Sequence, residues 1–344
     1  MGEPPIFVIV AIILVAVAFD FINGFHDTAN SISTVVSTRV LSPRLAVLFA
    51  ALFNFAAFFV VGTPVANLVG SGIVSPSLVT ENKHVGTMLV LSALLGAISW
   101  DLITWYFALP TSSSHALIGG LIGAGVAAGG FAVINARGIE VVVKYMVLSP
   151  VIGLAAAFGI MSVLYHLLKK TNPRTVNRYF RFLQILSSSG VSFSHGSNDA
   201  QKTMGVITLL LLSAGKLPEN KFEVPDWVAL LGYTTLALGT LAGGWRIIKT
   251  MGMRITHLQP VNGFAAETAA ALVIFGSSWG GIPVSTTHVV AGSIMGVGAT
   301  KRASAVRWGV ARRIVWAWVV TIPVSAAIGG VAFLAAGLIF QWIW

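Results

Sequence analysis

The stretch Gly24-Phe25-His26-Asp27-Thr28-Ala29-Asn30-Ser31 places one carboxylate among amide, hydroxyl and small side chains. Gly196-Ser197-Asn198-Asp199-Ala200-Gln201-Lys202-Thr203 does so again, altered. Both stretches are flanked by runs apolar enough to enter a bilayer. A carboxylate at membrane depth is unfavourable unless a function holds it there. Two in matching positions point to a binding site where two repeats meet. The oxygens of Asn23, Asp27 and Asn30, with those of Asn198 and Asp199, suit a small hard cation. Asp27 and Asp199 would be its charged ligands, with the metal ion bound directly. A plainer reading makes each Asp the cap of a following helix, with Lys202 neutralising Asp199. Lys202 has a second use, reaching an anion.

A second pair of motifs is Pro110-Thr111-Ser112-Ser113-Ser114-His115 and Pro283-Val284-Ser285-Thr286-Thr287-His288. In each, a proline stops one helix and hydroxyl residues cap the next. The first turn of that helix leaves N–H groups unpaired at the positive end of the helix dipole. Ser112, Ser113, Ser114, Ser285, Thr286 and Thr287 therefore form two candidate cradles for a tetrahedral oxyanion. His115 and His288 close the motifs as supporting residues. Ordinary capped helices after a proline are the alternative. Glu267, mid-span near Asn262 and Thr268, is a third candidate acid, either a proton carrier or a cation ligand. Asp101, beside Trp100, reads as structural. The histidines titrate near neutral pH but read singly as hydrogen-bonding neighbours. No zinc-site spacing, nucleophile elbow or phosphate loop is present.

These residues must be positioned by membrane helices. The chain has 344 residues, 56% hydrophobic and 9% charged, against about 25% charged in a soluble domain. Its mean hydropathy is +0.87. One soluble core could not hide that much apolar surface. The fold class is an all-α polytopic membrane protein, since many runs approach the roughly 20 apolar residues of a spanning helix. Cysteine is absent, which removes disulfides, thiolate metal sites and cysteine nucleophiles. The start of the chain lacks the basic region of a signal peptide, so residues 6–21 read as a mature span.

Asp27 and Asp199 are 172 residues apart; Pro110 and Pro283, His115 and His288, and His84 and His257 are each 173 apart. Such a common offset is an internal repeat. The expected division is a first transmembrane repeat over 1–168, a basic linker over 169–181 and a second repeat over 182–344. Each half reads as five spans, an odd number, so the second repeat is inverted relative to the first. The first span of each half reads as a broken helix, with breaks at Asp27 and at Ser194-His195-Gly196. Broken or re-entrant helices then meet at a midplane site.

The charges agree with ten spans and both termini outside. Arg39, Arg44, Lys169, Lys170, Arg174, Arg178, Arg181, Arg246, Lys249, Arg254, Lys301, Arg302, Arg307, Arg312 and Arg313 fall in loops of one sidedness without any acid. Glu3, Glu81, Glu140, Glu219, Glu223 and Asp226 fall on the other side, with Lys83, Arg137, Lys144, Lys216 and Lys221. By the positive-inside rule the basic loops are cytoplasmic. The net charge of +10 is thus a topology signal, and no nucleic-acid partner is expected.

The segments 22–30, 194–202 and 283–288 resemble the inorganic phosphate transporter (PiT) family, with the bacterial low-affinity branch nearest. The resemblance covers nearly the whole chain. The family's wider pattern has Gly-x-Asn-Asp in both copies, and the first copy here has His26 at the Asn position, as in the bacterial branch. Many relatives carry a Glu in the second span where this chain has Asn54. The resemblance implies secondary active import of inorganic phosphate through the inner (plasma) membrane, by symport with sodium or protons. It also implies alternating access, a homodimer and, in the bacterial branch, metal–phosphate as possible cargo. It places phosphate near the paired Ser/Thr motifs and cations near Asp27 and Asp199. Rival readings are a sulfate permease on the same scaffold and a passive anion channel. An enzyme is not expected, for want of an activated nucleophile or metal triad.

Overall fold

The computed structural model describes residues 4–218 and 222–340. Glu3, Glu219 and Lys221, assigned above to outside loops, lie outside the described residues. Thirteen α-helices follow in order: α1 Ile6–Ser37, α2 Pro43–Ala56, α3 Pro64–Ser71, α4 Pro76–Glu81, α5 Lys83–Tyr106, α6 Ser113–Gly129, α7 Ala136–Leu168, α8 Pro173–Ser213, α9 Asp226–Ala242, α10 Trp245–Lys249, α11 Pro260–Trp279, α12 Thr286–Lys301 and α13 Trp308–Phe340. No strand occurs among the described residues.

The repeat is visible in the elements. Helices α7 and α13 each have 33 residues, and each holds an internal proline, Pro150 and Pro323. The hairpin α5–α6 corresponds to α11–α12. Their tips turn at equivalent residues of positive φ, Ala108 at 56° and Gly281 at 66°. Helix α13 packs on α6 and α5, and α7 packs on α12 and α11. Each long closing helix thus braces the hairpin of the other half.

Two apolar clusters fill the interior. One joins α1, α3, α5, α6, α8 and α9 through residues such as Phe19, Leu94, Leu117, Met204 and Leu236. The other gathers Ile32, Val47, Val191, Ile274, Val290 and Ile314. The outer faces of α1, α7 and α13 expose large apolar side chains, among them Phe7, Leu14, Val151, Leu167, Trp316 and Leu334. Such a continuous apolar exterior matches lipid as solvent.

Four helices, α1, α5, α7 and α13, are individually long and apolar enough to cross a membrane. Two bent pairs raise the number to six: α2 with α3, at 89°, and α9 with α10 and the turn that follows it, at 64°. The bends sit at Gly62-Thr63-Pro64 and at Gly243-Gly244, where Gly243 has φ 71°. Glycine and proline are the expected causes of such breaks. Length and apolarity single out fewer helices than the ten expected spans for a physical reason. Helices α6 and α12 have only 17 and 16 residues, and α8 carries a polar face toward its neighbours.

The location of the breaks corrects the sequence reading. Helix α1 runs unbroken for 32 residues through Asp27, and α8 runs unbroken for 41 through Ser194, His195 and Asp199. Glycine in these motifs serves close crossing instead. A side chain at Gly24 would meet the backbone of Leu236, Gly239 and Thr240 in α9, and one at Gly196 would meet the backbone of Asn54 in α2. Small residues at helix crossings are the usual device in membranes. Some of the polar neighbours find partners across the helix packing, Asn23 with Ser113 and Asn54 with Thr240, while the backbone of both helices stays closed. The basic stretch 169–181 is also mostly helical, because α8 starts at Pro173.

Candidate functional site

Helices α1 and α8 pack on each other and bring the two acidic motifs together. One ligand atom each from Asp27, His195 and Asp199 lies within 4.8 Å of the other two. Asp27 is 2% exposed, and Asp199 and His195 are wholly buried. Lys202 Nζ lies 2.7 Å from Asp199 Oδ1, and His195 Nε2 lies 3.5 Å from Asp199 Oδ2. Since α8 is continuous, Asp199 caps no helix; Lys202 is its partner one turn later.

The hairpin tips reach the same place. Ser112 and Ser285 are the N-caps of α6 and α12, accepting from the His115 and His288 N–H groups at 3.3 and 3.2 Å. Ser113 Oγ donates to Asn23 Oδ1 at 2.5 Å and to Asp27 Oδ2 at 3.1 Å. Thr287 Oγ1 donates to Asp27 Oδ1 at 3.4 Å. Asn30 Nδ2 donates to Thr286 and Thr287 at 3.2 and 2.9 Å. One carboxylate, Asp27, therefore touches the start of both short helices. Ser114 is buried beside them. The rings of His115 and His288 lie 4.9 Å apart. Trp318 of α13 stacks on His288 at 3.8 Å and donates its indole N–H to the Pro110 carbonyl at 2.9 Å. A single side chain thus ties both tips.

Several acceptor oxygens in this shell accept no hydrogen bond among the described residues. Asn30 Oδ1 and Asn198 Oδ1 are buried and unpartnered, although Asn198 Nδ2 donates to Ser278 at 3.0 Å. Buried amide oxygens normally have donors. Orphaned oxygens beside two carboxylates form a donor set that fits a hard cation.

Glu267 lies apart from this group. Its carboxylate accepts from Thr34 Oγ1 at 2.5 Å, from Gln184 Nε2 at 2.9 Å and from Ser187 Oγ. Thr34 follows Asp27 by seven residues on α1, roughly 10 Å at 1.5 Å per residue. Asn262, expected near it, instead completes the cap of α11 with Gln259.

Sequence reasoning did not identify the following contacts. His26 Nδ1 lies 2.8 Å from Asp27 Oδ1, and its Nε2 lies 3.1 Å from Thr104 Oγ1. Asn54 donates to Thr240 at 2.9 Å and lies 3.3 Å from His195 Nδ1. Asp20 Oδ1 accepts from Thr203 at 2.7 Å. Gln184 and Ser187 hold Glu267. A signal existed: Asp20, Asn23, Asp27, Asn30 and Thr34 recur at spacings of three and four along α1. That period is one face of an unbroken helix. Asp101 gave no such signal. The sequence alone makes it structural, yet neither of its buried oxygens has a hydrogen-bond partner among the described residues.

Comparison with known proteins agrees with these motifs. A family model described as the phosphate transporter family matches residues 23–176 and again 168–329. Over 331 residues the chain is 50% identical to a probable low-affinity inorganic phosphate transporter of Rhizobium meliloti, covering 96% of this chain and 97% of the relative. A probable low-affinity inorganic phosphate transporter of Bacillus subtilis is 45% identical over 96% of this chain and 98% of the relative. A solved structure described as the sodium-dependent phosphate transporter superposes with a TM-score of 0.89, at 26% identity, over 97% of this chain and 100% of that one.

Proposed function

Because this multi-pass chain belongs to the phosphate transporter family, we propose that it imports inorganic phosphate by symport with a cation. The relatives it matches are transporters rather than enzymes. The site works through charge. Asp27 and Asp199 bring two negative charges into one buried cluster, and Lys202 offsets one of them. A phosphate entering beside them adds more negative charge. Buried charge without compensation is strongly unfavourable. The anion therefore enters together with a cation, and that requirement is the coupling.

The hydroxyls of Ser113, Ser114, Thr286 and Thr287, with the first N–H groups of α6 and α12, hold the phosphate. Ser112 and Ser285 keep those helix starts open by capping them. Asp27, Asp199, Asn23, Asn30 and Asn198 hold the cation, and Lys202 balances the charge. Glu267 is a further cation or proton site, and His115 and His288 line the contact between the tips. Sodium is favoured as one coupling ion by the description of the structural neighbour; a metal–phosphate cargo would use the same oxygens.

The halves 1–168 and 182–344 lie inverted in the inner membrane and rock about the shared site in alternating access. The exchange of α7 and α13 between hairpins supports that symmetry. The basic loops face the cytoplasm. Arg181 donates to the Arg39 carbonyl at 2.8 Å, which keeps two of those loops on one side. The transporter acts as a homodimer, in line with the family.

The closeness of Asp27 and Asp199 carries this reading. It is tested in proteoliposomes with a sodium or a proton gradient imposed alone. Asp27→Asn and Asp199→Asn should each lower gradient-driven phosphate uptake by about tenfold or more, with an unchanged gel-filtration profile. Uptake equal to wild type in both variants refutes the cation role.

A further inference from the structure

Asp101 lies on α5 and is wholly buried. Neither of its carboxylate oxygens has a hydrogen-bond partner among the described residues, and none of the ion pairs described above includes it. Its repeat-equivalent, 173 residues on, is Ile274, also wholly buried and packed in an apolar cluster. The architecture therefore fills this slot with an aliphatic side chain in one half. An acid in the other half has no hydrogen-bonding task and packs no better than Ile. An unpaired ionised carboxylate at this depth is strongly unfavourable. The group must be neutralised by a positive species that can come and go.

The surroundings choose that species. A metal cation needs several oxygen ligands. The hydroxyl one turn along α5, Thr104 Oγ1, is already engaged with the Trp100 and Asp101 carbonyls, His26 and Thr111. A proton needs only the carboxylate. The charged and titratable groups that act on Asp101 are His26 and Asp27 from α1 and Lys202 from α8. From α10, Arg246 reaches the Tyr106 carbonyl and the rings of Trp105 and Tyr106, further along α5. From α6, His115 meets His288 instead. From α13, the partner on this stretch is the neutral Thr321, bonded to Trp100. α5 also links Asp101 to the site: Thr104, one turn later, lies 3.1 Å from His26, which lies 2.8 Å from Asp27.

The geometry points to Asp101 as the residue that carries a proton in this chain's transport cycle. The inference rests on the transporter reading above and names a proton-carrying residue for it. In each cycle an O–H bond forms on the Asp101 carboxylate with a proton from water on the outer side. That bond breaks when the proton is released to water on the inner side. The neutral acid balances part of the charge that phosphate brings. The ionised acid after release repels the next proton-free anion.

The test uses the purified protein in proteoliposomes with a pH-sensitive dye inside. In wild type, phosphate uptake driven by an inward proton gradient without sodium should acidify the lumen together with phosphate entry. Asp101→Asn should lose accumulation under that gradient by about tenfold or more, while retaining phosphate–phosphate exchange across vesicles at equal pH. Asp101→Ile, which borrows the residue of the equivalent position, should behave the same and guards against a folding defect of the amide. Gradient-driven accumulation equal to wild type in either variant overturns the inference. So does wild-type accumulation that responds to sodium alone with no lumenal acidification. If wild type shows neither accumulation nor exchange of phosphate under any gradient, the transporter reading itself fails, which is a different result.

Discussion

Around Glu267 of α11, polar side chains from two other helices close in: Thr34 of α1, and Gln184 and Ser187 of α8. At the positions related by the repeat stand Leu94, Val206, Ile12 and Val15, and they belong to one apolar cluster. The two places share helix geometry and differ only in chemistry. The scaffold is thus two-fold, and beside the paired Asp27 and Asp199 it carries buried acids, Glu267 and Asp101, that stand in one half only. Asp101 against Ile274 repeats the lesson with the halves reversed. Duplicated architecture supplies the place where two helix tips meet, and unpaired substitutions set which half carries each additional buried acid.

The sharpest way to break this comparison is to move the acid. Leu94→Glu puts a carboxylate where no hydroxyl or amide waits for it. It should lower the unfolding free energy by about 3 kcal/mol or more, seen as a large drop in Tm in detergent. A normal Tm would mean that the apolar socket is open to water or ions, and the contrast would lapse. A smaller effect is expected from the opposite transplant. The combined variant Thr34→Val, Gln184→Ile, Ser187→Val and Glu267→Leu copies the other half. It should stay folded, since isosteric apolar replacement of a buried polar network is often neutral or stabilising. Gradient-driven uptake should nevertheless fall by about tenfold; unchanged uptake and ion dependence would strip Glu267 of its role. The smallest effect concerns the tips. Ala108 holds at φ 56° the place that Gly281 holds at 66°. Ala108→Gly should relieve about 1 kcal/mol of left-handed strain, raising Tm slightly without altering phosphate affinity. A lower Tm would show that the Ala108 methyl packs in a way its counterpart does not.

Much of this was legible in the sequence because duplicated polar motifs in apolar surroundings have few uses. Asp27 and Asp199, and the two Ser/Thr helix starts, were readable from one offset, and the structure brings all of them together. The continuity of α1 and α8 is not legible in the sequence, because Gly24 and Asn23 look like a break when only neighbours in sequence are considered. Their partners, Leu236 and Gly239 on one side and Ser113 on the other, are distant in the chain. The same remoteness hid Gln184 and Ser187 from Glu267. Asn262 was credited instead because it was close in sequence, although its side chain turns back to cap α11. Long-range satisfaction of polar groups is the quantity that a single sequence expresses least.

The crossed bracing of the hairpins has a consequence for biogenesis. Helix α6 rests on α13, and α13 is synthesised after every other described helix. Until α13 enters the bilayer, the turn that ends in Ser113 lacks its wall, and Trp318 is not there to clasp Pro110. A ribosome stalled before α13 would leave an unfinished pocket, so assembly of the candidate site waits on the last described helix.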